Sequence, residues 1–263
     1  MTMNKEVIPE DSETEFYSEQ TSESQLSSSA TKLSTAVNIP KYLQETYYWS
    51  YLNPKNVSWL DQEWIVKLIL WGQHNKLRQA AFTEIQAGDS VLQAAAVYGK
   101  FSKALSEHIT SQGTLKVIDV AKVQVELTTQ KLKPYPQSLV KLADATTFKD
   151  RSYDVVLCYF LLHEVPDNVK TRILDNLLKH IKPNGKLVIV DYHKPHILHP
   201  IRPITSLVFK FLEPFARTLW KKPLQDLASE PEKYNWKKQN YFAGLFQKVV
   251  ITKQQSDKEK VNK

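Results

Sequence analysis

The 263-residue chain has room for one substantial α/β domain with extensions, and its 42% hydrophobic content is ordinary for a globular protein. No apolar run reaches the eighteen or so residues of a membrane span. The single cysteine, Cys158, excludes an intrachain disulfide and a multi-cysteine zinc site, and fits a reducing interior. The net charge of +7 is unevenly placed. Residues 1–38 hold seven acids and two lysines, which leaves 39–263 with about +12. Such a body suits phosphates or anionic lipid, or is simply a lysine-rich solvated surface. The aromatic clusters carry no RNA-binding signature, so no nucleic-acid partner is expected.

In chain order, residues 1–38 are rich in Ser, Thr and Glu, lack hydrophobic periodicity and are expected to be disordered. Their acidity does not fit a mitochondrial transit peptide, and no signal-peptide core is seen. Order is expected from near Ile39. The segment Tyr47-Tyr-Trp-Ser-Tyr-Leu-Asn-Pro-Lys-Asn56 reads as an aromatic loop ending in turn residues. From Asp61 to Ile85 the spacing is helical, with Ile65, Leu68, Ile69 and Leu77 facing inward. Strands are predicted over Ser90–Ala95, Thr114–Val120, Leu139–Leu142, Tyr153–Tyr159, Lys186–Tyr192 and Val249–Thr252. Helices are predicted over Phe101–Ile109, Val123–Lys131 and Val169–Ile181, the last stopped by Lys182-Pro-Asn-Gly185.

This alternation predicts a Rossmann-like α/β domain over 39–252, a mostly parallel sheet with helices on both faces and a helical N-terminal extension. A helical insertion, 194–236, precedes the last strand, and 253–263 reads as a disordered basic tail. Within the insertion, Ile204, Leu207, Val208, Phe211 and Phe215 follow one helical face. Glu213-Pro214 breaks it, and a second short helix is expected with Pro214 in its first turn. The run Lys194–Lys222 holds six Lys or Arg residues and one acid. An interfacial helix over Ile197–Trp220 is therefore expected, with Arg202, Lys210, Arg217, Lys221 and Lys222 toward anionic headgroups. The competing expectation is that these apolar residues cover the sheet or form a dimer contact.

The candidate ligand loop is Val91-Leu-Gln-Ala-Ala-Ala-Val-Tyr-Gly99. A strand–turn–helix at this place normally brings backbone N–H groups against a nucleotide-like cofactor, and glycines permit the approach. Here only Gly99 remains, and Gln93 stands where a strand-end acid is expected. Asp119, twenty residues past Gly99 at the end of the second strand, is placed to accept ribose hydroxyls. Asp144-Ala145 ends the third strand, suited to an adenine amino group. His163-Glu164 and Asp191-Tyr-His193 follow two neighbouring strands and are expected to converge, to bind a divalent cation or move protons. Buried Cys158 is expected to act as a small hydrophobe.

With Val117-Ile-Asp-Val120, Asp144-Ala145 and Leu177–Val190, the chain resembles class I S-adenosylmethionine (SAM) methyltransferases, particularly the quinone C-methyltransferases. The altered loop with Leu105, Phe160-Leu-Leu-His-Glu-Val-Pro166, Ile189-Val-Asp-Tyr-His-Lys-Pro195, Leu212-Glu-Pro-Phe-Ala216 and Gly244-Leu-Phe-Gln-Lys-Val-Val250 narrow this. Over about 39–252 the chain is similar to the rhodoquinone biosynthesis methyltransferase family. That resemblance implies conversion of ubiquinone to rhodoquinone, an amino group replacing a ring methoxy, with SAM as nitrogen source and Mn²⁺ as metal. The expected catalytic set is Tyr98, His163, Glu164, Asp191 and His193, with Glu164, Asp191 and His193 on the metal. The expected cofactor set is Gln93, Ala94, Ala95, Tyr98, Gly99, Asp119, Val120, Asp144, Ala145 and Tyr159. A cytoplasmic protein peripheral to the inner membrane is expected. The alternatives are a conventional SAM methyltransferase acting on a quinone or lipid-like aromatic, and a non-catalytic binding protein on this fold.

Overall fold

A computed structural model describes residues 39–254. The expected tail 1–38 and all but the first two residues of 253–263 lie outside the described residues. Helices α1 (Lys41–Thr46), α2 (Pro54–Leu60), α3 (Glu63–Ile69) and α4 (His74–Phe82) form the N-terminal extension. A π-helical turn, Tyr48–Leu52, takes the place of the expected aromatic loop. Asn53 starts α2 by accepting the Lys55 N–H, with Pro54 in the first turn where its missing N–H costs nothing. The helix predicted over 61–85 is two helices, because Trp71 and Gly72 both turn left-handed, at φ of 52° and 74°. That break leaves Ile65 and Leu77 inward as expected, while Leu68 and Ile69 face outward.

Seven strands follow: β1 (Ser90–Ala94), β2 (Thr114–Asp119), β3 (Ser138–Leu142), β4 (Tyr153–Tyr159), β5 (Ile181–Tyr192), β6 (Tyr234–Tyr241) and β7 (Phe246–Lys253). Their order is β3-β2-β1-β4-β5-β7-β6, parallel as far as β5 and then antiparallel through β7 to β6. Period-2 alternation divides the core. In β4, Val155, Leu157 and Tyr159 face α4 (Leu77, Ala81) and α5 (Phe101–Ile109), while Val156 and Cys158 face α7 (Asp167–Lys179) through Leu174 and Leu177. Helix α6 (Lys122–Leu132) joins β2 to β3. Burial pushes the Cys158 thiol well above its ordinary pKa, in keeping with a packing role.

The insertion departs from expectation in two ways. Its helices are α8 (Arg202–Phe211) and α9 (Arg217–Lys221), with Pro214 in the turn between them rather than inside the second helix. It then ends in β6, which the sequence hid: Asn235, Lys237, Lys238, Gln239 and Asn240 show no apolar alternation. An edge strand carrying lysines resists pairing with other chains, so its polarity follows from its place. Lys170 ties the insertion to α7. Its fully buried ammonium donates to Val165 O, Asp167 Oδ1 and Phe215 O at 2.8–2.9 Å.

Candidate active site

In an open parallel sheet, ligands bind where strand order reverses, at the carboxyl ends of the strands. Here that point lies between β1 and β4. Both chains leave the sheet there on left-handed residues, Ala95 at φ 69° and Phe160 at φ 53°. Two neighbouring cavities occupy the edge. One is a crevice of about 50 Å³ whose lining includes Ala95, Asp119, Val120, Asp144, Ala145 and Leu161. The other, about 160 Å³, is mostly apolar and is bounded by Val97, Tyr98, Phe101, Tyr159, Phe160 and the N-terminal helices. Tyr51 and Glu164 line both.

The crevice is lined by two carboxylates, Asp119 and Asp144. Asp119 accepts the N–H of Ala96 and of Ala121, one on each oxygen, both at 2.8 Å. Asp119 keeps acceptor capacity for a further donor. Burial raises its carboxyl to about 6, against these backbone donors, which lower it. Asp144 accepts from Thr146 N and also lines the crevice.

The first loop is arranged differently from expectation. Gln93 is fully buried: its Nε2 donates to Ala95 O and Ser102 Oγ, and its Oε1 accepts from Ser102 Oγ. It lines neither cavity. Ala94 is likewise buried in the core, whereas Tyr98 and Tyr159 line the apolar cavity. The Tyr98 hydroxyl donates to Ser50 O and accepts from Gln124 Nε2. Gly99 lines neither cavity but anchors the loop from outside. Its N–H donates to Asp61 and its carbonyl accepts from Lys131, which also pairs with Asp61. Glu63 accepts from Lys100 N. Asp61 and Glu63, on the N-terminal extension, thus hold a loop that has few glycines of its own.

Opposite signs are expected at its two left-handed positions. Ala95→Gly should stabilise the fold by about 1 kcal/mol, because only the Cβ makes that φ costly. Gly99→Ala should destabilise it by about 1–2 kcal/mol, because a Cβ is costly at φ 74° and would also push Glu63 Oε2, 2.8 Å away, aside. Urea denaturation of both variants checks this.

His163 and Glu164 follow β4, and Asp191 lies near the end of β5. The Asp191 carboxylate accepts the N–H groups of Leu162, His163 and Tyr192 and pairs with His163 Nδ1 at 2.9 Å. It therefore fixes the imidazole, leaving Nε2 3.5 Å from Glu164 Oε1. Tyr51 donates to Glu164 and Tyr47 to Glu213, the latter at 2.7 Å. Burial alone would lower the His163 pKa, but Asp191 and Glu164 bring it up to about 9. Burial raises Glu164 to about 8 against the opposing charge of His163, and burial also raises Glu213. The result is a buried cluster that binds and releases protons just above neutrality.

These shifts fix a pH dependence of stability. The folded chain keeps both protons to higher pH than the unfolded chain, whose His and Glu titrate near 6.5 and 4.5. Their stabilisation is fully present below those values and is lost as pH rises through about 8 and 9. Unfolding free energy should therefore fall by up to about 1.4 kcal/mol per pH unit for each proton. Between pH 6.5 and 8, Glu164→Gln should flatten that slope in chemical denaturation.

The expected metal site does not form. His193 is directed elsewhere, with Nδ1 on Gly244 O and Nε2 accepting from Lys238. Asp191 is occupied by four donors, so Glu164, Asp191 and His193 do not converge. Among the described residues no group of three His, Cys, Asp or Glu side chains is set to hold a metal ion. The donors do not fit Mn²⁺.

Tyr47, Tyr51 and Glu213 were not among the expected site residues, nor were Asp61 and Glu63. One signal was available. Glu213 is the single acid in the basic run 194–222, a position that favours a specific partner over solvation.

The profile of the ubiE/COQ5 methyltransferase family matches residues 61–251. The chain is 27% identical over 179 residues to a demethylmenaquinone methyltransferase of Staphylococcus epidermidis, covering 66% of this chain and 70% of that one. It is 28% identical over 132 residues to a 2-phytyl-1,4-naphtoquinone methyltransferase of Nostoc sp., covering 48% and 57%. Among solved structures, it is similar in fold to N-methyltransferase NodS from Bradyrhizobium japonicum in complex with S-adenosyl-L-homocysteine. The TM-score is 0.54 at 14% identity, over 82% of this chain and 100% of that one. A TehB-like SAM-dependent methyltransferase from Corynebacterium glutamicum gives 0.52 at 13% identity, over 77% and 100%. The sheet order and these neighbours give the chain a class I methyltransferase fold. With the family profile extending from α3 to β7, the chain belongs to the ubiE/COQ5 methyltransferase family.

Proposed function

We propose that this protein transfers a methyl group from SAM to the ring of an isoprenoid quinone. The observation that carries this reading is the shared wall: Glu164, beside the Asp191-held His163, lines both the crevice and the apolar cavity. Asp119, Val120, Asp144 and Ala145 hold the adenosyl end in the crevice. SAM, when bound, supplies an electrophilic methyl group. The apolar cavity takes the ring, with His74 and Arg78 at its lining as donors for a ring oxygen; His74 Nδ1 has no partner among the described residues. Once Glu164 is ionised, as it becomes above about pH 8, the His163–Glu164 pair accepts the hydroxyl proton of the reduced ring, which makes the adjacent carbon nucleophilic. The pair returns that proton to the ring oxygen and takes in exchange the one which the carbon loses once the new bond is formed, to be released to solvent. The quinone methyltransferases among the relatives support the substrate class.

A second reading, the rhodoquinone-type amination of ubiquinone with loss of methanol, is favoured by one observation. Ala95 holds a left-handed turn without being glycine, and Val97 turns its side chain to the apolar cavity. This loop would hold the amino acid end of SAM in another pose. One experiment separates the two. Purified protein is incubated with SAM and either a short-chain demethylmenaquinol or a short-chain ubiquinone, and products are read by mass. Methylated menaquinol supports the first reading, and aminoquinone the second. Neither product from either substrate overturns both.

A further inference from the structure

Many of the exposed large apolar side chains collect on α8 and on the α2–α3 pair, beside the active site. On α8, Thr205 and Phe209 point into the fold, while Ile204, Leu207 and Phe211 point out, with Leu207 58% and Phe211 66% exposed. On α2 and α3, Trp59, Trp64 and Leu68 are exposed, and the two indoles meet edge to face at 6.2 Å. Val208 and Phe215, expected on the outward face, instead pack against the core and against Tyr42 and Tyr47. The larger cavity reaches the α2–α3 pair and the turn just past α8. Exposed Trp49 and Ile69 line it, and so does Glu213, which directly follows exposed Phe211 and Leu212.

The charge around this surface has one sign. Lys210 lies 5.2 Å over the Phe211 ring, and Arg217 and Lys221 are exposed just beyond it. Lys55 and Lys67 are exposed on α2 and α3. The acids of these segments are turned to internal partners: Asp61 to Gly99 and Lys131, Glu63 to Lys100, and Glu213 to Tyr47. Exposed tryptophans and leucines among unopposed cations are the composition of a surface that lies in an anionic lipid interface. Among the described residues no helix is long and apolar enough to cross a bilayer.

We infer that α8 together with the Trp59–Leu68 face of α2 and α3 docks on an anionic membrane surface, so that the apolar cavity opens into the lipid. Docking follows from the surface alone. Entry of a quinone ring from the bilayer, its tail left among the acyl chains, rests on the function proposed above. Amphipathic residues on two separate elements then set the depth and tilt of the site.

The test is co-sedimentation of the full chain with phosphatidylcholine vesicles with and without phosphatidylglycerol. Wild type should bind the anionic vesicles, and binding should fall as salt rises. The double variant Leu207→Glu/Phe211→Glu and, on the other element, Trp64→Glu should each weaken binding about tenfold or more. Both should keep the wild-type melting temperature and the turnover of a short-chain, water-soluble quinone. No binding of wild type to anionic vesicles, or equal binding by a folded variant, overturns the inference. So does a wild-type dimer that the variants split while vesicle binding stays absent, which would assign the patch to a second copy. Failure of every form to turn over soluble quinone would overturn the proposed function and leave the vesicle result standing.

Discussion

His163→Ala should lower the rate of group transfer by ~10²–10⁴-fold, the range typical of losing a positioned acid–base group, with little change in SAM affinity. The imidazole touches the cavity but not the adenosyl crevice, so binding and chemistry separate at this residue. Asp191→Asn should lower the rate less. Its remaining oxygen still accepts backbone N–H groups, but the negative charge that raises His163 is gone, so the pH profile of the residual rate should move down. Single-turnover rates with SAM and a short-chain quinone, set beside SAM binding by calorimetry, measure both effects. A folded His163→Ala protein that transfers at the wild-type rate would remove the imidazole from the chemistry.

Asp119→Ala carries the second large effect, and it should be double. Loss of hydrogen bonds from a charged acceptor should weaken SAM binding by about 1–3 kcal/mol. The same change leaves the N–H groups of Ala96 and Ala121 without their acceptor, which should cost the fold a further 1–3 kcal/mol or so. Calorimetry reads the first and urea denaturation the second. Asp119→Asn, which retains one acceptor oxygen, should recover part of the stability and less of the affinity. Unchanged SAM affinity in a folded Asp119→Ala protein would sink the ribose assignment.

The two residues differ in how far the sequence announces them. Asp119 ends an apolar strand at a fixed distance from the first loop, and parallel-sheet topology carries any such strand end to the same edge. Asp144-Ala145 is legible for the same reason. Gln93 misleads because its position in the motif is right but its side chain turns inward, tied to Ser102 nine residues on. His193 misleads because β5 ends at Tyr192, and beyond the strand the imidazole turns to Gly244 and Lys238. Adjacent strands had promised four convergent groups, and the chain's exit from β5 leaves three.

The periodicity of the sequence by itself determined the α/β class, the positions of six strands and the acids at the ends of β2 and β3. Those features depend on local alternation, on helix stops, and on the rule that parallel strands end together. Only the tertiary structure decided the proton-binding cluster, the missing metal site and the outward apolar faces. Tyr51 meets Glu164 across 113 residues, and Tyr47 meets Glu213 across 166. No local pattern encodes such a meeting. It arises because the N-terminal extension and the insertion pack on one sheet edge; burial there raises Glu164 and Glu213, and the acids it encloses raise His163.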